Sequence, residues 1–179
     1  MIELLPWSDD DLWVVERCLS DPGMMAHLGG PQSGEQILDA HTRYLNTGGS
    51  GTGQMFKVVL DPVQEVIGTI GYWDKVWRDE LIAETGWMVF PEYQGRGLAS
   101  EAVAMLVTQL RRDHVRRFLH AFPSIANAPS NGICRKAGFT NLGEVQFEYP
   151  PGHSMQCNDW CVDLWLTRDE PDQRSVQSE

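Results

Sequence analysis

Long apolar runs are missing from this chain of 179 residues, and none approaches the length that spans a bilayer. The sequence therefore predicts no membrane partner. Basic residues are scarce: 14 Lys and Arg against 25 Asp and Glu give a net charge of −11. Nucleic acids and anionic membrane surfaces call for basic patches, so neither is expected as a partner. The acidity suits a cationic, amine-bearing substrate and equally suits solubility alone.

Cysteines are few. Cys18, Cys134, Cys157 and Cys161 include no C-x-x-C pair and give no disulfide framework, as expected for reduced thiols in the cytosol. His153, Cys157 and Cys161 recur at intervals of four, but three candidate ligands in a loop-then-strand context fall short of a metal site, and none is expected. Met1-Ile2-Glu3-Leu4 has neither a basic leader nor an apolar core of a signal segment, so a cytoplasmic protein is expected. The G-K-[ST] of a P-loop is absent. A dinucleotide fingerprint also fails, because Ser100 stands where the third glycine would be.

What is present centres on residues 84–113. Thr85 to Phe90 is apolar, aromatic and β-branched, which predicts a buried strand that Pro91 ends. Gln94-Gly95-Arg96-Gly97 follows. Ala99, Ala102, Val103, Leu106, Val107 and Leu110 then recur at helical spacing. Glu101 in the first turn and Arg111 and Arg112 in the last complement the helix dipole. A strand that enters a helix through glycines leaves helix-start amides unpartnered, and the positive end of the dipole lies there. Such a turn is an anion site.

Around it, Ile2 to Trp7 predicts a first strand. Ser8 or Asp9 caps a helix over about Asp10 to Leu19, with Leu12, Val15 and Leu19 facing inward. Ser33 and Gln36 form a capping box for a second helix to about Leu45. Asn46 to Gly53 reads as a flexible connector. Gln54 to Leu60 and Glu65 to Tyr72 form a hairpin across Asp61-Pro62, and Trp73 to Glu80 reads as a charged turn. Arg117 to Phe122 is a strand. Asn127 caps a short helix that ends at Gly138, and Phe139 returns to the core. Glu144 to Tyr149 and Trp160 to Leu166 close the chain as a hairpin. Residues 1–166 read as a single domain, and the polar stretch 167–179 as a frayed tail.

The run Gln94 to Ala99, Q-x-x-G-x-A, resembles the pyrophosphate loop of the GNAT superfamily of acyl-CoA-dependent N-acetyltransferases. The later block Asn127 to Phe139 resembles that family's asparagine-helix-Gly-Phe segment, in the right order and with a strand between. The arrangement looks most like the branch that includes the ribosomal-protein N-terminal acetyltransferases. The resemblance implies an α+β fold: a mixed, mostly antiparallel central sheet of about seven strands, helices on both faces, splayed between two parallel central strands. It implies acetyl-CoA as cosubstrate and a primary amine, of a small molecule or a peptide N-terminus, as acceptor. It implies a monomer or a homodimer.

Matched residue by residue, the pyrophosphate falls on Gln94, Gly95, Arg96, Gly97, Ala99 and Ser100. The pantetheine arm falls on the backbone of Met88 and Val89 and on Asn127. The usual general-acid tyrosine is replaced by Cys134, a weak substitute as an acid that is expected to be a packed core cysteine. Ser130 matches a serine of the N-terminal acetyltransferase branch that hydrogen-bonds the thiolate, and Glu84 stands where many relatives carry the base, with Glu148 as rival. A bulge in this strand would change which face Glu84 shares. Because the tyrosine is missing, a CoA-binding sensor or partner module without turnover is the alternative reading.

Overall fold

The computed structural model describes residues 1–49, 52–148, 152 and 154–166. Seven strands form one sheet: β1 (Ile2–Pro6), β2 (Gly53–Leu60), β3 (Glu65–Trp77), β4 (Glu80–Val89), β5 (Phe118–Ala121), β6 (Thr140–Glu148) and β7 (Ser154–Asp163). Their order across the sheet is β1-β2-β3-β4-β5-β7-β6, antiparallel everywhere except between β4 and β5. Four α-helices complete it: α1 (Leu12–Leu19), α2 (Gly34–Gly49), α3 (Leu98–Asp113) and α4 (Ala128–Lys136). The expected α+β architecture is the one observed.

Two separate apolar clusters put the helices on opposite faces. On one, the α3 stripe of Ala102, Val103, Leu106, Val107 and Leu110 packs with Ile70, Ala83 and Leu119 of the sheet, and Cys134 of α4 joins them. On the other, Val14, Val15, Cys18 and Leu19 of α1 pack with Ile37 and Ala40 of α2 and with Phe90. Leu12, expected on the inner face of α1, is only half-buried against this cluster, because the helix begins there and a short 3-10 turn precedes it. Among the described residues, no helix is long and apolar enough to cross a membrane.

Several boundaries differ from expectation, among them the start of β6, at Thr140 and not Glu144. The α2 helix continues through Asn46 to Gly49, part of the presumed connector, once the Ser33–Gln36 box has started it. Residues 50 and 51 lie outside the described set. The segment Trp73 to Trp77 is strand, not turn: Trp73, Lys75 and Trp77 alternate on one face, and the chain reverses at Arg78 and Asp79 alone, both left-handed (φ 49° and 64°). Strand β7 begins at Ser154, six residues earlier than expected. Tyr149, Pro150, Pro151, His153 and the tail 167–179 lie outside the described residues.

Candidate active site

The turn between β4 and α3 leaves a row of amides exposed. Gly95 and Gly97 adopt left-handed backbone (φ 72° and 81°), which a β-carbon disfavours. The space where their β-carbons would stand is empty. Gly97 is the N-cap of α3 and has no side chain to satisfy the first turn, and the first backbone bond of the helix runs from Glu101 N to Gly97 O at 3.0 Å. The N–H groups of Gly95 through Ser100 thus have no acceptor among the described residues. Gln94 anchors the turn from behind, its Nε2 donating to Val89 O at 2.8 Å. Arg96 leans over the Tyr93 ring, 5.6 Å from its centroid, and is the one nominated loop residue that does not line the adjoining cavity.

The gap beside this turn follows from strand pairing. β4 and β5 are joined only at Ala83–Leu119 and Glu84–His120, and β4 then runs on to Val89 without β5 beside it. Pairing with β3 is continuous from Glu80 to Val89, so no bulge interrupts β4. Phe90 N donates to Ile67 O at 2.8 Å, which sets the alternation: even-numbered residues bond to β3 and odd-numbered ones turn their amides toward the gap. The backbone of Val89 therefore faces the gap. That of Met88 is directed to β3, so Met88 lines the cavity without offering its amide, contrary to the expected pairing.

The same unbroken alternation puts Ile82, Glu84, Gly86 and Met88 on one face, toward α1 and α2. Glu84 is 9% exposed and paired with Lys75, Nζ to Oε2 at 3.0 Å. Burial raises its carboxyl above the ordinary range, while Lys75, the Trp73 indole and His120 hold it down. The Trp73 ring crosses Gly86, 3.1 Å from where a β-carbon would stand, so that glycine makes room for it. Lys75 also sits 4.3 Å from the Phe147 ring centroid. Directly beside Glu84, His120 Nδ1 lies 2.7 Å from Asp159 Oδ1, and Trp77 Nε1 donates to the other oxygen of Asp159 at 3.0 Å. Asp159 is 1% exposed and fully engaged in this clamp.

On the far side of the gap, α4 begins as expected: Asn127 Oδ1 accepts from Ser130 N at 3.1 Å. Asn127 and Ser130 both line the cavity. Cys134 does not. It is fully buried in the core, and burial pushes its thiol to about 12. Asn131, which sequence reasoning did not single out, fixes the helix to the sheet. Its amide donates to Ser124 O and Asn127 O, and its oxygen accepts from Asn158 and Trp160.

A single cavity of about 1160 Å³ joins these parts. Glu84, Met88, Val89, Gln94, Gly95, Gly97, Ala99, Ser100, Asn127 and Ser130 all reach it. Sequence reasoning singled out none of the residues of its other wall: Met24, His27 and Leu28 before α2, Arg43 and Asn46 on α2, and Lys75. Only the alternation W-D-K-V-W carried a signal for Lys75. The residues from α2 and the segment before it are brought in by the fold and have no motif.

Comparisons with known proteins agree with this geometry. The family model described as the acetyltransferase (GNAT) domain matches residues 2–140. Among solved structures, an acetyltransferase of the GNAT family from Bacillus anthracis superposes with a TM-score of 0.74 at 20% identity, covering 91% of this chain and 95% of the other. The Salmonella typhimurium acetyl transferase that modifies the N-terminal serine of the 50S ribosomal subunit protein L7/L12 gives 0.74 at 19%, covering 90% and 94%. Spermidine N-acetyltransferase from Vibrio cholerae, in complex with CoA and spermine, gives 0.74 at 16%, covering 91% and 95%. At such identities the likeness is one of fold. Comparison with curated proteins gives no match.

Proposed function

Because the chain belongs to the acetyltransferase (GNAT) domain family, we propose that it transfers the acetyl group of acetyl-CoA to a primary amine, by direct attack in a ternary complex. One observation carries this reading: unpartnered helix-start amides and a buried carboxylate line the same cavity, joined by the gap beside β4.

In this reading the amides of Gly95, Arg96, Gly97, Ala99 and Ser100 hold the pyrophosphate, with Gln94 keeping the turn in shape. The pantetheine arm runs in the gap between β4 and β5, past Asn127. The Val89 N–H polarises the thioester carbonyl as charge builds on its oxygen. Glu84 takes a proton from the incoming ammonium, and a carboxyl raised by burial is a better base for that task at neutral pH. The amine nitrogen then bonds to the carbonyl carbon; as the carbon–sulfur bond breaks, the nitrogen gives up its second proton to the departing thiolate, whose sulfur Ser130 hydrogen-bonds. Cys134 has no part in this, being in the core and out of reach of the cavity. Holding the thioester beside the amine supplies much of the acceleration.

The test is thiol release from acetyl-CoA across a panel of amines, with the product identified by mass spectrometry. Acetylated amine formed by the wild-type protein and lost in Glu84→Gln supports the reading. CoA binding with no turnover on any amine would favour the sensor alternative instead.

A further inference from the structure

The chain is strongly acidic, yet its cavity is not. Among the described residues, only two carboxylates line it, Glu84 and Glu148, against the cations Arg43, Lys75 and Lys136. Glu84 is already paired with Lys75. Glu148 accepts a hydrogen bond from Gly152 N at 2.6 Å at the β6–β7 end. A substrate with several ammonium groups would find one carboxylate at most for its second and third charges. The excess acidity of the chain therefore lies outside this cavity and says nothing about the acceptor.

The Arg43 side chain has no hydrogen-bond or ion-pair partner among the described residues. Its place in the fold puts it on the base side of the cavity. Its carbonyl accepts from the Thr47 hydroxyl at 2.7 Å, one turn on. The Thr47 methyl lies 2.8 Å from where a β-carbon on Gly53 would stand, Gly53 pairs with Trp73, and Trp73 pairs with Glu84. The glycine turn leaves from the other end of β4: Glu84 to Val89 alone is five residues of strand, roughly 17 Å. The Arg43 turn of α2 thus lies over the Glu84 end of the sheet, two strand spacings from Glu84, while the phosphate turn leaves from the opposite end of β4. His27, Asn46 and the hydroxyl-bearing Tyr44, Thr47 and Thr52 add hydrogen-bonding groups on the same wall, and Met24, Leu28, Met55 and Trp73 give it apolar surface.

We infer that the acceptor is an amine with an apolar body and one anionic group, a carboxylate or phosphate that Arg43 engages while the amine meets Glu84, and not a polycation. This rests on the acyl-transfer reading above. Arg43 is then a specificity-determining residue: it pairs with the anionic end of the acceptor and takes no part in the bond changes. The relatives whose substrates are polyamines share the fold without fixing this choice.

Matched acceptors isolate the anionic group. L-phenylalanine and glycyl-L-phenylalanine would be compared with their C-terminal amides, and phosphoethanolamine with ethanolamine, with spermidine and kanamycin as the polycations. Acetyl-CoA is the donor throughout. The two acids distinguish a free amino acid from a peptide N-terminus. The inference expects turnover of at least one anionic amine, exceeding its uncharged partner in kcat/KM by about tenfold or more. Arg43→Gln should remove that difference by raising KM for the acid, leaving the uncharged amine and the thermal shift with acetyl-CoA unchanged. Arg43→Glu should reverse the preference. Preference of the wild-type protein for spermidine or kanamycin would overturn the inference and leave acyl transfer standing, as would acids and amides turned over alike. A thermal shift with acetyl-CoA but no turnover of any amine would overturn both.

Discussion

Glu84 shows how much one side chain depends on its setting. Its place in the central strand was legible in the sequence, because a carboxylate beside an otherwise apolar run is conspicuous, but it stands mid-strand and not at the head, since β4 begins at Glu80. Its ion pair was not, because Lys75 belongs to a segment whose charge masked its strand alternation. Glu84→Gln should lower kcat by about 10²- to 10⁴-fold with CoA affinity intact, read by steady-state kinetics and a CoA titration. Lys75→Met gives a signed result. Lys75 holds the Glu84 carboxyl down against burial, so removing it lets the carboxyl rise further. The base works only when deprotonated, so the acid limb of the kcat/KM profile should move to higher pH. An unmoved limb would mean that Glu84 is not the group titrating there. Cys134 was legible as a core residue, and Met88 was misread in its backbone only, since the family motif fixes residue positions but not which amides a neighbouring strand claims.

At the level of elements, the helices announced themselves where capping chemistry was explicit. The Ser33–Gln36 box and the Asn127 cap form as expected. The misread hairpin had a physical cause. Its turn is made by Arg78 and Asp79, which adopt left-handed backbone without glycine or asparagine, so the usual turn signal was absent. Arg78→Asn with Asp79→Gly should relieve that conformation and stabilise the protein by about 1 kcal/mol, seen as a Tm rise of roughly 2–4 °C. Asn127→Ala should act oppositely, costing about 1 kcal/mol through the lost cap. It should also weaken CoA binding if Asn127 contacts the pantetheine arm; an unchanged CoA affinity would restrict it to the helix.

For the molecule as a whole, order along the chain carried most of the fold. Antiparallel strands followed by strand-turn-helix-strand imply the β4–β5 crossover, and the glycine turn fixes where a phosphate would meet it. What stayed hidden were the residues of the acceptor wall, because α2 and the segment before it reach the cavity by packing and contribute scattered residues with no spacing of their own. Net charge left the acceptor open, for −11 describes the whole chain while, among the described residues, the cavity is lined by more cations than carboxylates. A ligand that binds only the folded state raises its stability, by about 2.7 kcal/mol at a hundredfold excess over Kd. Acetyl-CoA should therefore raise the Tm. Gly97→Val, whose β-branched side chain is strained at φ 81°, should abolish the rise.

The most direct measurement is a titration of the isotope-labelled protein with CoA, following backbone amide resonances. The N–H signals of Gly95, Gly97, Ala99 and Ser100, together with that of Val89, should shift strongly and saturably, while that of Gly143 on the distant edge strand should stay in place. Unmoved signals from the 95–100 turn at saturating CoA would contradict the diphosphate grip on which the acyl-transfer reading stands.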